Sequence, residues 1–420
     1  MGLVALFGCA VVWRIFPALC PDGPSVRTIP LPQQAYVWQR DWNFSVREAL
    51  NAHGREMAGL VVLGAEVAWK PSGPQVFRVP LDYPLLRSLD RPIGLSLRMG
   101  GYSGTFASNT APAKVLDDLV RGMIAQAASN RLDLAEFQID FDCAESRLDG
   151  YRQWLEQVRP RLGQTSLTIT ALPAWLKRRE FRALARVTDG YVLQVHSLDR
   201  PHGVSAPFIL CDPDAARRAV ATASQLGVPF RVALPTYGYR VAFDVRGQFI
   251  GLSAEGPASG WPEGTQFRVV ATDPASMVGL VRDWTSRPPP GLTGILWYRF
   301  PTGRDAHNWR WATLAAVMHG EFPAPVLRLE TKRSNPSVTE LFISNEGSGT
   351  YRGPVTAHVS WAGARLEARD GLAGFESVGE SPETLDLRSG WVQLRPGERR
   401  VAGWLRLTEE REVQSELETE

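Results

Sequence analysis

In the stretch Glu136-Phe137-Gln138-Ile139-Asp140-Phe141-Asp142, polar residues occupy every second position. A period of two is that of a β-strand, so Glu136, Gln138, Asp140 and Asp142 share one face and the three apolar residues share the other. A carboxylate withdrawn from water is costly unless it is hydrogen-bonded or paired, so three on one strand face call for an explanation. In a parallel barrel the apolar face meets the helices and the acidic face meets the bore. Such barrels keep their chemistry at the C-terminal ends of their strands, where Asp140 and Asp142 fall. Two carboxylates one pleat apart push their pKa values apart, leaving one as acid and one as base. Asp142, nearer the mouth, is expected to be the general acid, with Asp140 tuning it or acting as base. The competing reading is a structural network in which neighbouring Arg and Thr side chains satisfy the acids.

Other segments of strand character add polar and aromatic groups. Ser96 and Arg98 share a face, as do Thr168 and Thr170, and Gln194 and His196. Arg98 is the expected partner of the buried acids. Arg98, Gln138, Gln194 and His196 are the groups expected to hold hydroxyls, and His196 could also shuttle a proton. Trp297 and Arg299 share a face of the last barrel strand, and an indole there could floor a sugar subsite. Trp175, Tyr237 and Tyr239 follow other strands and could line a rim. These groups suit a carbohydrate ligand. No zinc-ligand spacing, Ser-His-Asp order or phosphate-binding glycine loop stands out, so neither a metal nor a cofactor is expected.

Strands alternate with amphipathic helices through the first three quarters of the chain. Expected strands are 36–39, 59–68, 95–99, 135–142, 167–171, 191–197, 230–235 and 292–299. Expected helices fall at 46–52, 113–128, 150–158, 178–186, 214–226, 274–284 and 309–318. Eight such units predict an α/β fold, a (β/α)8 barrel of the TIM type over residues 30–322. An insertion over 240–271 carries a hairpin turning at Arg246-Gly247 and is expected to wall the mouth. Beyond Phe322-Pro323-Ala324-Pro325 only strands are expected, at 326–331, 338–344, 355–361, 391–394 and 401–407. They predict a small immunoglobulin-like β-sandwich over 323–410, with 411–420 as a frayed acidic tail.

The 420 residues are 44% hydrophobic and 21% charged, with a net charge of +2, which gives no electrostatic case for a nucleic-acid partner. Fourteen Trp is a high count: exposed indoles would suit sugar stacking, while the competing reading buries most of them in the core. The uncharged run MGLVALFGCAVVW is too short to span a bilayer and reads as an export signal within residues 1–29. Leu6-Phe7-Gly8-Cys9 resembles a lipoprotein box, so Cys9 is the expected lipid anchor of an exported protein, periplasmic or membrane-bound.

The fourth strand resembles that of the chitinase family of glycoside hydrolases (family eighteen), which carries D-x-x-D-x-D-x-E there with the Glu as acid. Asp140 and Asp142 match its last two Asp positions, and Trp297 resembles its strand-eight tryptophan. Phe137 stands at the first Asp position and Ala144 at the acid position, with Glu145 one residue late. The segments YVWQR, QIDFDCAES, LPAWL, LQVHS and LPTYGY resemble a bacterial group of unassigned function with the same glycosidase-like barrel. The resemblance implies a glycoside hydrolase-like barrel acting on or binding a polysaccharide in the cell envelope or outside the cell. Two alternatives remain: a degenerate barrel that binds glycan without cleaving it, and a non-enzymatic envelope scaffold.

Overall fold

The computed structural model describes residues 31–419 apart from 108–109, 198–199 and 254–259. The expected export signal and Cys9 lie outside the described residues. Eight parallel strands close a barrel: β1 (Gln33–Val37), β2 (Gly59–Lys70), β3 (Ile93–Met99), β4 (Leu134–Phe141), β5 (Ser166–Ala171), β6 (Gly190–Gln194), β7 (Phe230–Pro235) and β8 (Leu292–Tyr298). Each pairs with the next, and β8 pairs with β1 through Gln34↔Leu296 and Ala35↔Trp297. A helix follows each strand. Two short elements after β2 were not expected: the antiparallel strand Gly73–Arg78 and the helix Tyr83–Ser88.

Local sequence sets these elements. Asp212-Pro213 and Asp273-Pro274 start helices: each Asp carboxylate accepts two backbone N–H groups, and the proline sits where no N–H is needed. The helix Leu148–Val158 buries Leu148, Tyr151, Trp154, Leu155 and Val158 at helical spacing. That face receives the apolar side of β4: Phe141 meets the Tyr151 ring edge-on at 5.1 Å, and the Tyr151 hydroxyl donates to the Ile139 carbonyl. Phe137, Ile139 and Phe141 are buried, each worth roughly 1.5–3 kcal/mol. The acidic face of β4 therefore looks into the bore.

The bore is stacked in layers. At the bottom Arg231 of β7 holds Glu136 through two contacts, 2.7 and 2.5 Å, while Thr168 Oγ1 donates to the same carboxylate at 2.6 Å. Arg231 also donates to Gln34 Oε1 at 2.6 Å. Arg98 was the expected partner of the buried acids, but Arg231 is the one that satisfies Glu136, because the two face each other across the bore. Gln138 and Tyr36 fill the next layer, and Arg98, Asp140, Thr170 and Tyr298 stand above it.

The insertion after β7 is a three-stranded antiparallel sheet, with Gly238–Phe243 between Phe249–Ser253 and Gln266–Ala271. Its turn uses Gly247 at φ +76°, a conformation that costs glycine little. The C-terminal region packs two four-stranded antiparallel sheets around Leu341, Ile343, Leu387, Ala402 and Leu405. One sheet joins Leu327–Asn335, Val338–Asn345, Arg399–Leu407 and Leu366–Gly371; the other joins Glu376–Ser381, Thr384–Leu394, Tyr351–Ser360 and Gln414–Thr419. The acidic end is thus a strand and not a frayed tail. Leu417 packs on the sandwich core, and His358 bridges Asp386 (2.9 Å) and Glu418 (3.1 Å). Its acids are the solvent-facing half of an alternating strand, which acidic composition alone had hidden.

Candidate active site at the barrel mouth

A cavity of about 180 Å³ opens at the C-terminal ends of the barrel strands. Eight residues singled out from the sequence stand on its wall: Arg98, Asp140, Asp142, Thr170, Gln194, His196, Tyr237 and Tyr239. The acids are held unequally. Asp140 is half-buried and accepts from Thr170 Oγ1 at 2.7 Å, whereas Asp142, just past the strand end, is exposed. Burial pushes the Asp140 carboxyl up to about 6; Arg98 and Thr170 pull it down, while Asp142 and Glu66 add to the rise. Burial therefore favours a proton on Asp140.

Arg98 faces a second, unexpected acid. Burial works against its charge, but Asp140, Tyr298, Glu66 and Asp142 outweigh that and hold its pKa up. Glu66 lies 4.0 Å from Arg98 and 2.5 Å from Arg40. It reaches the mouth through a bulge: Leu63 pairs with Ser96 and Ala65 with Leu97, so Gly64 is the extra residue. The bulge reverses the alternation of β2 and turns Glu66 inward. Strict alternation from Leu63 would have put Ala65 there, so the sequence pattern pointed away from Glu66.

Aromatic side chains form the rest of the wall. Trp38 and Tyr298 meet at 5.6 Å, Tyr36 and Tyr298 at 5.7 Å, and Tyr237 and Tyr298 at 5.3 Å. Burial raises the pKa of Tyr36, Tyr237 and Tyr298, so these phenols stay protonated and can donate to ligand oxygens. Tyr237 donates to the Tyr239 hydroxyl at 3.1 Å, which lies 3.2 Å from Ser197 Oγ. His196 Nδ1 sits 3.3 Å from the Tyr237 hydroxyl and its ring stacks on Tyr298. Burial lowers the His196 pKa to about 3, so the imidazole is neutral and relays protons only between neutral forms. Gln194 donates to the His196 carbonyl at 3.1 Å, which fixes its amide at the wall.

Four expected site residues lie elsewhere. Gln138 is fully buried one layer below the cavity. Trp175 ends a short helical turn, Pro173–Trp175, and its buried ring packs 5.9 Å from Phe181 of the next helix. Trp297 is fully buried on the helix side of β8, with Nε1 donating to Gln33 Oε1 at 2.7 Å; Tyr298 takes the inward position. Arg299 follows a cis peptide after Tyr298 and pairs with Asp305 at 2.6 Å, holding the loop beyond β8. Both faces of β8 are buried and apolar, so alternation could not say which face lines the bore. The inward parity of β1 was the available signal for Tyr36 and Trp38, once Gln34 is assigned to the bore.

Ala144 is exposed, and Glu145 is drawn off by Arg178 at 2.6 Å. Among the described residues on the cavity wall, Asp140 and Asp142 are the two carboxylates. Burial pushes the thiols of Cys143 and Cys211 up to about 12, so neither is a nucleophile near neutral pH.

The sequence profile described as "Domain of unknown function (DUF3142)" matches residues 90–303, about half the chain and β3 to β8. No curated protein matches the sequence. Among solved structures, the spore cortex-lytic enzyme SleL of Bacillus cereus superposes with a TM-score of 0.50 at 13% identity, covering 70% of this chain and 74% of that one. SleL of Bacillus megaterium gives the same TM-score and identity over 71% and 76%. A chitinase from Chromobacterium violaceum gives 0.48 at 16%, over 69% and 98%. The likeness to SleL concerns the fold alone, a closed eight-stranded parallel barrel.

Proposed function

The chain belongs to the DUF3142 family, whose description names no function, and we propose that its barrel mouth is a carbohydrate site in which Asp140 supplies the proton for cleavage of a glycosidic bond. One observation carries this reading: a carboxyl held protonated up to about pH 6, in an aromatic-walled cavity at the strand ends. A volume of about 180 Å³ is below the ~300–1,000 Å³ of drug-sized pockets and suits one terminal ring of a longer chain. Trp38 and Tyr298 offer faces for the sugar's C–H surface, and the phenols and Gln194 offer donors to its hydroxyls. Asp140 protonates the leaving oxygen as the bond to the anomeric carbon breaks. Water adds to that carbon and gives its proton to Asp142, from which the pair is reset. Carboxylates one pleat apart have Cβ atoms ~6.5–7 Å apart, compatible with the ~5–9.5 Å of glycosidase pairs.

A second reading, binding without cleavage, is favoured by one feature: the two wall carboxylates both come from β4 and the residue just past it, and the third acid near the mouth, Glu66, is engaged by Arg40 at 2.5 Å. The same experiment decides between the two. Full-length protein is offered oligosaccharides of several linkages, with reducing ends counted and binding measured in parallel. Release of reducing ends that Asp140→Asn abolishes supports hydrolysis; saturable binding with no release supports the second reading; neither sinks the carbohydrate assignment.

The substrate class follows as a polysaccharide of the cell envelope or surroundings if the chain is exported, a reading supported by the uncharged apolar run that contains Cys9. Fractionation tests this: membrane-bound wild type and a released Cys9→Ser variant are expected, and unprocessed cytosolic protein would overturn it.

A further inference from the structure

A second, larger cleft of about 810 Å³ lies where the barrel meets the sandwich. Its walls are fixed by contacts across the joint. Arg395 donates to the Asn308 and Asp305 carbonyls, Thr313 Oγ1 donates to the Ser348 carbonyl at 2.6 Å, and Arg310 meets Glu398 at 3.2 Å. The barrel side is built from segments that leave the strand ends. Thr272 Oγ1 donates to the carbonyl of Tyr237, itself a wall residue of the mouth, at 2.7 Å. The Thr272 wall of the cleft is thus tied to the chain that lines the mouth.

Positive charge is in surplus here. Arg310, Arg352 and Arg395 all line the cleft. Glu398 answers Arg310, but the Asp273 carboxylate is spent on the N–H groups of Ala275 and Ser276. Among the described residues no carboxylate or carbonyl reaches the exposed Arg352 guanidinium. Two neighbouring groups register the excess: Arg395 is pulled below its ordinary pKa by burial and then by Arg310, with Arg352 adding to it, and His307 by burial and then by Arg395 and Arg240.

An apolar platform adjoins this charge. On Thr384–Leu394, Val392 and Leu394 are buried opposite Gly353 and Tyr351, while Gln393 pairs with Arg352. Trp391 sits at a bulge in this pairing, just outside the cleft lining, and is 65% exposed on the outer face of the sheet, where Gln393 and Arg352 also lie. An exposed indole on the same sheet face as an unanswered guanidinium at the cleft's edge offers a ring both a C–H surface and a partner for a carboxylate.

We propose that this cleft is a second carbohydrate subsite that binds a carboxylate-bearing, uronic-acid-type stretch of the polysaccharide whose end enters the mouth. Arg352 takes the carboxylate, Trp391 stacks the ring, and Arg310 and Arg395 supply the field. The inference rests on the carbohydrate reading of the mouth, and its test separates the two.

Hexagalacturonate, cellohexaose and inorganic phosphate are titrated against full-length protein at low and high salt. Hexagalacturonate should bind most tightly and weaken with salt. Arg352→Gln and Trp391→Ala should each lower its affinity about tenfold, the loss of one charge-assisted bond or one stacked ring. Both side chains are exposed, and Arg352→Lys should keep part of the affinity. Asp140→Asn should leave this binding in place. Equal affinity for the neutral and acidic hexamers, or phosphate competing fully while Trp391→Ala changes nothing, overturns the proposal. Loss of acid preference alongside intact Asp140-dependent turnover sinks this inference alone; acid-selective binding without mouth turnover or mouth binding sinks only the reading of the mouth.

Discussion

Replacing Asp140 by Asn should stabilise the protein, and only at higher pH. In the fold this carboxyl holds its proton up to about 6, against an ordinary value of 3.8. Between those values the native state binds more protons than the unfolded chain, so stability falls as pH rises through that window. Below it the protonated acid is at no disadvantage; above it the full cost of a buried carboxylate is present. About two pH units at ~1.36 kcal/mol each make a cost of about 3 kcal/mol, an upper figure because the group is only half-buried. Asparagine removes the charge and keeps an oxygen for Thr170 Oγ1. Urea unfolding followed by tryptophan fluorescence should therefore give nearly equal stabilities at pH 4 and a more stable Asp140→Asn variant at pH 8. A variant equal to or weaker than wild type at pH 8 would refute the claim that burial, rather than Arg98, controls this group.

Other consequences can be measured alongside. Glu136→Gln leaves Arg231 buried without its counter-charge and should cost ~3–5 kcal/mol in urea unfolding, with much of that recovered by also replacing Arg231 with Met. Trp297→Ala should cost ~3–5 kcal/mol in stability yet leave the affinity of the folded protein for a mouth ligand unchanged, whereas Tyr298→Ala should lower that affinity; isothermal titration separates the two. His196→Asn should leave any pH limb near 6 in place, since the imidazole is neutral there, and displacement of that limb would transfer the proton-carrying role from Asp140 to His196.

The barrel was legible because its strands and helices repeat with distinct periods, and because β4 alternates strictly enough to show which face is polar. That one strand located the mouth. What the pattern could not convey came from three physical causes. A strand buried on both faces has no polar side, so Trp297 was preferred where Tyr298 points inward. A bulge at Gly64 reverses parity, which hid Glu66. Burial depends on the whole closed bore, so strand position alone did not reveal that burial raises Asp140. The acidic final strand was hidden for a related reason: Leu417 is its one large apolar anchor, too sparse a signal against so many charges.

The central claim is that a sugar ring occupies the mouth with its leaving oxygen at Asp140. The most direct test is a crystal structure of Asp140→Asn with the oligosaccharide that the linkage screen selects. The account predicts a terminal ring in the cavity against Trp38 and Tyr298, its glycosidic oxygen ~2.6–3.2 Å from the residue-140 side chain. A ligand bound elsewhere, with the mouth cavity empty, would contradict it.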